Sequence, residues 1–165
     1  ELLAELEKNF HVTVVTQNID NLHERAGSSH IIHLHGELTK VCSSRDPHNP
    51  HYIKELKPEE YEVKMGDKAG DGTQLRPFIV WFGEAVPEIE TAIQYVEKAD
   101  IFVIIGTSLN VYPAAGLLHY VPRGAEVYLI DPKPVDTHTS RSIHVLRKGA
   151  SEGVEELKQL LIPAP

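Results

Sequence analysis

Five short segments of this chain carry the residue types that do chemistry, and each directly follows an apolar run. Gln17, Asn18 and Asp20 come straight after the β-branched run at residues 12–15. His35 stands before Gly36 at the end of a second apolar run, residues 30–34, and an imidazole there can act as a base. Gly106, Thr107 and Ser108 follow residues 101–105; the glycine lets a ligand come close to the backbone, and the hydroxyls and amides suit a phosphate. Asp131 follows residues 126–130, where an acid can accept hydrogen bonds from ribose hydroxyls. Lys148, Gly149, Ala150 and Ser151 follow residues 143–146.

Each segment also has a plainer reading. Gln17 to Asn21 makes a turn with a helix cap, the Gly-Thr-Ser tripeptide an ordinary strand-ending turn, and Asp131 a cap; His35 is one of ten histidines, most of which serve structure.

The elements behind these segments alternate strand and helix. Residues 1–10 read as the end of an amphipathic helix, with Leu2, Leu3, Leu6 and Phe10 at helical spacing, so the chain is expected to begin within a domain. Strands are expected at 12–15, 30–34, 77–82, 101–105, 126–130 and 143–146. Helices are expected at 20–26, 87–99 and 113–121, with a last one capped by Ser151. This order implies an α/β fold: a Rossmann-like parallel sheet with helices on both faces. Its ligands lie outside the carboxyl ends of the strands, which puts the segments at residues 16–20, 106–108, 131 and 148–151 on one edge, with His35 at a further strand end. Residues 37–75 break the pattern with scattered prolines, glycines and charges. They are expected to form a small inserted module, with 1–36 and 76–165 making up the main domain.

Bulk properties narrow the partners. The chain has 165 residues, a length that suits one compact unit, and its 41% apolar and 24% charged content is that of a chain that folds. A net charge of −8 with dispersed lysines and arginines argues against direct nucleic-acid binding. The apolar runs are too short for a membrane span of about 20 residues. One cysteine, Cys42, allows no internal disulfide, so a soluble protein of the reducing cytoplasm is expected.

Taken in order, the segments resemble the sirtuin family of NAD-dependent protein lysine deacylases, in particular its bacterial, sirtuin-5-like branch. The resemblance rests on five ordered motifs. They are Thr16-Gln17-Asn18-Ile19-Asp20-Asn21-Leu22-His23, then His33-Leu34-His35-Gly36-Glu37-Leu38, then Arg76-Pro77-Phe78-Ile79-Val80-Trp81-Phe82-Gly83-Glu84, then Gly106-Thr107-Ser108, and finally Val111-Tyr112-Pro113-Ala114-Ala115-Gly116.

The resemblance implies NAD as cofactor and an acyl-lysine protein or peptide as substrate, with nicotinamide, free lysine and O-acyl-ADP-ribose as products. It implies that His35 is the general base and that Gln17 and Asn18 contact the nicotinamide ribose, Asn18 within the catalytic centre. Ile19 and Asp20 would hold the carboxamide. Gly106, Thr107 and Ser108 would meet the phosphates and ribose, Asp131 the adenosine ribose, and Ala150 the adenine. Val80, Trp81, Phe82, Gly83, Glu84 and Val111 would line the substrate path, with the backbone of Val80 receiving the substrate amide.

Two departures qualify this. The family's two Cys-x-x-Cys pairs, which bind a structural zinc, are reduced here to Cys42, with Arg45 three residues on, so no zinc is expected and no metal ligand is assigned. The family's glycine-rich NAD loop is not among these residues; the resemblance puts it upstream of Glu1. A catalytically silent NAD-binding fragment, or an enzyme that transfers ADP-ribose to protein, are therefore the competing expectations.

Overall fold

In the computed structural model, residues 1–107, 114–135 and 139–162 are described. Ser108 and Val111, two of the expected site residues, lie outside them.

The strongest apolar runs form the centre of the fold. Strands β6 (Ile101–Ile105) and β7 (Glu126–Ile130) pair in parallel, Ile101 opposite Glu126 through Ile105 opposite Ile130, and β8 (His144–Leu146) adds a third parallel strand beside β7. A strand's side chains alternate between faces, so a continuous apolar run must be covered on both. The two faces of β7 show this. Val127 and Leu129 enter one core with Ala92 and Val96 of α3 (Glu88–Val96) and with Leu117 and Leu118 of a 3-10 helix, Ala114–Tyr120. Tyr128 and Ile130 enter another with Val154 and Leu157 of α4 (Ala150–Leu161) and with Leu2 and Leu3, the latter pair from α1 (Leu2–Leu6). An ion pair from Lys158 to Glu5, 2.6 Å, joins the two helices of that second layer.

A shorter parallel pair, β1 (Val14–Thr16) and β2 (Ile31–His33), is joined by α2 (Leu22–Arg25). Ile32 and Leu34 belong to the same core as Ile104 and Val127, so both parallel sheets share one apolar layer.

The stretch that looked irregular contains the longest strand. β3 (Gly36–Ser43) runs antiparallel between β4 (Lys54–Glu55) and β5 (Leu75–Ile79). Its alternation is hidden in the sequence because its register against β5 shifts between Glu37 and Val41. At its end Ser43 is fully buried, and its Oγ donates to Asp71 Oδ2 at 2.7 Å, lies 3.0 Å from Thr73 Oγ1, and accepts the backbone N–H of Arg45 and Asp46. This knot fastens residues 71–73 to β3.

Three local expectations are corrected. β5 ends at Ile79 rather than residue 82, because antiparallel pairing with β3 stops there. The segment at 114–120 is a 3-10 helix. Ser151 lies inside the first turn of α4, whose cap is Gly149 in an extended conformation, its carbonyl accepting from Gly153 N–H at 2.9 Å. Among the described residues no helix is long and apolar enough to cross a membrane.

Candidate active site

Parallel pairing of β1 with β2 brings their carboxyl ends together, and the loop after β1 is held there by its backbone carbonyls. Thr16 O accepts from Leu34 N at 2.9 Å, and Ile19 O from Leu38 N at 2.8 Å. Between them, Gln17 O faces His35 Nδ1 at 3.1 Å and Asn18 O faces His33 Nδ1 at 3.3 Å. Thr16 Oγ1 accepts the Asn18 N–H at 3.1 Å. Four consecutive carbonyls are thus spent on the scaffold, which leaves the side chains of this loop to meet a ligand. Gln17 shows the result: its Nε2 is buried and has no hydrogen-bond partner among the described residues. An unsatisfied buried donor is costly, and its presence points to a ligand that completes it. Asp20 commits one oxygen, Oδ1, to the Leu22 N–H at 3.0 Å, so the turn reading and the site reading coexist in one residue.

His35 is fixed at three points. Since a carbonyl can only accept, Nδ1 carries the proton in the neutral ring, and Nε2 is left with its lone pair, the form a base requires. The His35 carbonyl accepts from Val80 N at 2.9 Å. Gly36 has φ +76°, and a Cβ there would lie 2.1 Å from Phe78 O, so only glycine fits where β3 leaves the histidine and approaches β5.

A second group of expected residues lies along the ends of β6, β7 and β8. Gly106 N donates to Ile130 O at 3.0 Å and Asp131 N to Leu146 O at 3.3 Å, which lines the three strand ends up side by side. Gly106 has φ +60° with open space where a side chain would be, the close approach that a phosphate needs. Thr107 follows it. Asp131 Oδ1 accepts from Lys133 N at 2.8 Å, so this acid caps its own turn with one oxygen. Ala150 opens α4 on the same edge.

The loop after β5 exposes its apolar residues instead of packing them: Trp81 is 53% exposed and Phe82 fully so. Core packing is therefore not their role. The loop is braced by Arg76, whose Nη1 and Nη2 donate to Glu84 Oε1 at 2.7 Å and Oε2 at 2.9 Å, with Nη2 also reaching Ile79 O at 2.9 Å. Glu84 Oε2 accepts the Trp81 N–H as well, at 3.0 Å. The Arg76 hydrogen bond, followed by the Trp81 N–H, lowers the Glu84 carboxyl to about 2. Glu84, expected to face the substrate, spends both oxygens on the loop. A cavity of about 300 Å³ opens beside it, bordered by Val80 and Glu84 and reaching His33 and Glu37.

A four-thiolate zinc site does not fit these residues. Cys42 is the one thiol; it is buried, donates weakly to Pro77 O at 3.7 Å, and burial raises its pKa, which disfavours the thiolate a metal needs. Among the described residues, histidine, cysteine and acidic ligand atoms gather within 4.8 Å of one another at Glu24, His33 and Glu37, not at Cys42, His48 or His51.

Thr16, Glu24, His33 and Arg76 emerge as positioning residues that the sequence reading left unassigned. All four lie in or next to the quoted motifs, but the partners of their side chains are up to 15 residues away and only the fold reveals them.

A Rossmann-like α/β domain with a polar loop, a pinned histidine and a glycine at neighbouring strand ends defines a nucleotide-dependent enzyme class. Comparison with known proteins narrows it: the Sir2 family matches residues 1–113, and the chain belongs to that family. It is 96% identical over 165 residues to an NAD-dependent protein deacylase of Bacteroides thetaiotaomicron, covering all of this chain and 70% of that protein. A Helicobacter pylori NAD-dependent protein deacylase is 47% identical over 160 residues, which covers 97% of this chain and 67% of the relative. Among solved structures, Sir2 with a p53 peptide and NAD+ is similar at a TM-score of 0.76 and 30% identity, over 96% of this chain and 67% of the other.

Proposed function

We infer that the intact protein is an NAD-dependent protein lysine deacylase, and that this chain supplies its base and part of its cofactor site. The observation that carries this reading is the pairing of His35 with Gln17: a base whose Nε2 has no hydrogen-bond partner among the described residues stands beside a buried amide that likewise has none. The donor set suits NAD, with hydrogen-bonding side chains at one pair of strand ends and a phosphate-compatible glycine at the other. Gln17, Asn18, Ile19 and Asp20 would hold the nicotinamide ribose and carboxamide; Gly106, Thr107, Ser108, Asp131 and Ala150 would hold the phosphates, adenosine ribose and adenine. When bound, NAD supplies an electrophilic ribose carbon and a hydroxyl that receives the acyl group.

The protein's own part is to orient, to exclude water and to move one proton. His35 Nε2 takes the proton of the acceptor hydroxyl, with Nδ1–H anchored on Gln17 O so that the ring does not turn. The Val80 N–H is already taken by His35 O, so the backbone group it offers a substrate N–H is its carbonyl. Trp81 and Phe82, held out by the Arg76–Glu84 brace, with Gly83 and Val111 nearby in sequence, would cover the acyl-lysine and keep water away. Residues 1–36 and 76–165 would form the cofactor domain and 37–75 the small module. A single buried thiol suits a reducing compartment, the cytoplasm.

The test is incubation of the intact protein with NAD and acyl-lysine peptides. Nicotinamide and deacylated peptide should form in equal amounts, and His35→Ala should cut deacylation by about a hundredfold or more. Absence of nicotinamide release, or a His35→Ala rate equal to wild type, overturns the reading; a peptide gaining ADP-ribose instead would assign the site to ADP-ribosyl transfer.

A further inference from the structure

We propose that Glu24 and His33 form an ionised positioning pair that holds the Asn18 carbonyl, and with it the ligand-facing loop, in place. The inference rests on the deacylase reading for its consequence in turnover, though not for the charge state of the pair.

The argument is a count of protons. His33 is buried, and each of its ring nitrogens faces an acceptor: Nε2 lies 2.6 Å from Glu24 Oε1 and Nδ1 lies 3.3 Å from Asn18 O. A neutral imidazole carries one N–H, so it satisfies one partner and turns a lone pair on the other. Both bonds form only when the ring is an imidazolium. Partial burial is the largest single influence on the Glu24 carboxyl and raises it, but the hydrogen bonds from His33 and from the backbone N–H of Glu24 itself, with the charge interactions of His33 and His23, together outweigh it; the net shift is downward, so Glu24 is the charged partner. The charged groups around the pair agree: Glu37 on β3 brings a second carboxylate within 4.8 Å of it, and His23 on α2 acts on Glu24. Lys40 already occupies Glu37 at 2.5 Å, which favours a proton over a metal ion as the cation between these groups.

A charge-assisted bond of 2.6 Å is much stronger than a neutral one at 3.3 Å. When the ring loses its second proton, the remaining N–H stays with Glu24 and the Asn18 carbonyl is released. The loop then has three of its four carbonyl anchors, and Asn18 loses its fixed place at the nicotinamide ribose. Glu24 and His33 touch no substrate in this scheme; they act through Asn18.

Nitrogen-15 NMR of the intact protein reads the charge directly. Both ring nitrogens of His33 should be protonated at neutral pH, and Glu24→Gln should leave only one protonated. The glutamine amide can donate to Nε2, so in Glu24→Gln the one remaining proton can sit on Nδ1 and keep the Asn18 bond. Calorimetry should therefore show the NAD affinity of the wild type falling at alkaline pH while that of Glu24→Gln stays flat, and His33→Phe, which removes the anchor, should weaken NAD binding about tenfold with KM for NAD changing more than kcat. A neutral His33 ring in the wild type, an alkaline fall in NAD affinity that persists in Glu24→Gln, or an unchanged NAD affinity in His33→Phe overturns the proposal. If the protein binds NAD but deacylates nothing, the NMR and calorimetry still decide the pair while the deacylase reading alone fails.

Discussion

His35 Nδ1 stands 3.1 Å from the carbonyl oxygen of Gln17, the same residue whose side-chain Nε2 is buried without a hydrogen-bond partner among the described residues. One residue thus anchors the base through its backbone and awaits the cofactor with its side chain. Replacing Gln17 with Leu removes the unsatisfied donor but keeps the backbone bond. The ligand-free protein should gain about 1 kcal/mol in unfolding free energy while NAD affinity falls about tenfold. Denaturant titration and calorimetry would read the two opposite effects; a loss of both would show that the amide is structural.

Gly36 tests how tightly the histidine is placed. Gly36→Ala puts a methyl group 2.1 Å from a backbone oxygen at a positive φ, so the strands must part. A loss of about 3 kcal/mol or more is expected from the overpacking and the backbone strain together. Any folded fraction should show reduced kcat, since His35 adjoins the displaced bond.

The Ser43 knot should hold the small module without a metal. Ser43→Ala takes the shared acceptor from the N–H groups of Arg45 and Asp46, both exposed residues, and a partner from Asp71 and Thr73, and should cost about 1 to 2 kcal/mol. A chelator should leave the wild-type melting temperature unchanged, and elemental analysis should find no stoichiometric zinc. Stoichiometric zinc, or a drop in melting temperature on chelation, would contradict this.

Acid should loosen the same knot. The hydrogen bonds from Ser43 and Thr73 lower Asp71 from 3.8 to about 2. A lowered carboxyl contributes stability that is present above its unfolded value, near 4, and is lost as pH falls through about 2. Asp71→Asn should therefore flatten the pH dependence of stability between about 4 and 2. Amide exchange at residues 71–75 is the measurement.

Arg76→Lys should unsettle the exposed loop without unfolding the protein. A lysine cannot reproduce the two parallel bonds to Glu84 and the third to Ile79. KM for an acyl-lysine peptide should rise about tenfold, and Trp81 fluorescence should show greater mobility. An unchanged KM would separate this brace from substrate binding.

The sequence was most legible where one physical signal dominated. β6 and β7 appear at their expected bounds because a five-residue apolar run buried on both faces can be little else. β3 is not legible because a register shift hides its alternation, and the hydroxyl of Ser151 suggests a cap although the extended Gly149, two residues earlier, is the capping residue. At the candidate site, the motifs pointed to the loop after β1 and to His35, but not to what holds them. The contacts of Glu24 with His33, of Arg76 with Glu84 and of Ser43 with Asp71 span 8 to 28 residues, and nothing local in the chain announces them.

Among the described residues, the hydrogen bonds by which residues 33–38 hold the loop after β1 all end on main-chain oxygens, every one of which survives a change of side chain. Residues 17–19 therefore form a cassette that can be rewritten while keeping its path. Such an arrangement lets recognition drift over evolutionary time without retooling the fold, and it marks these three positions as the place to start when engineering the protein toward altered cofactors.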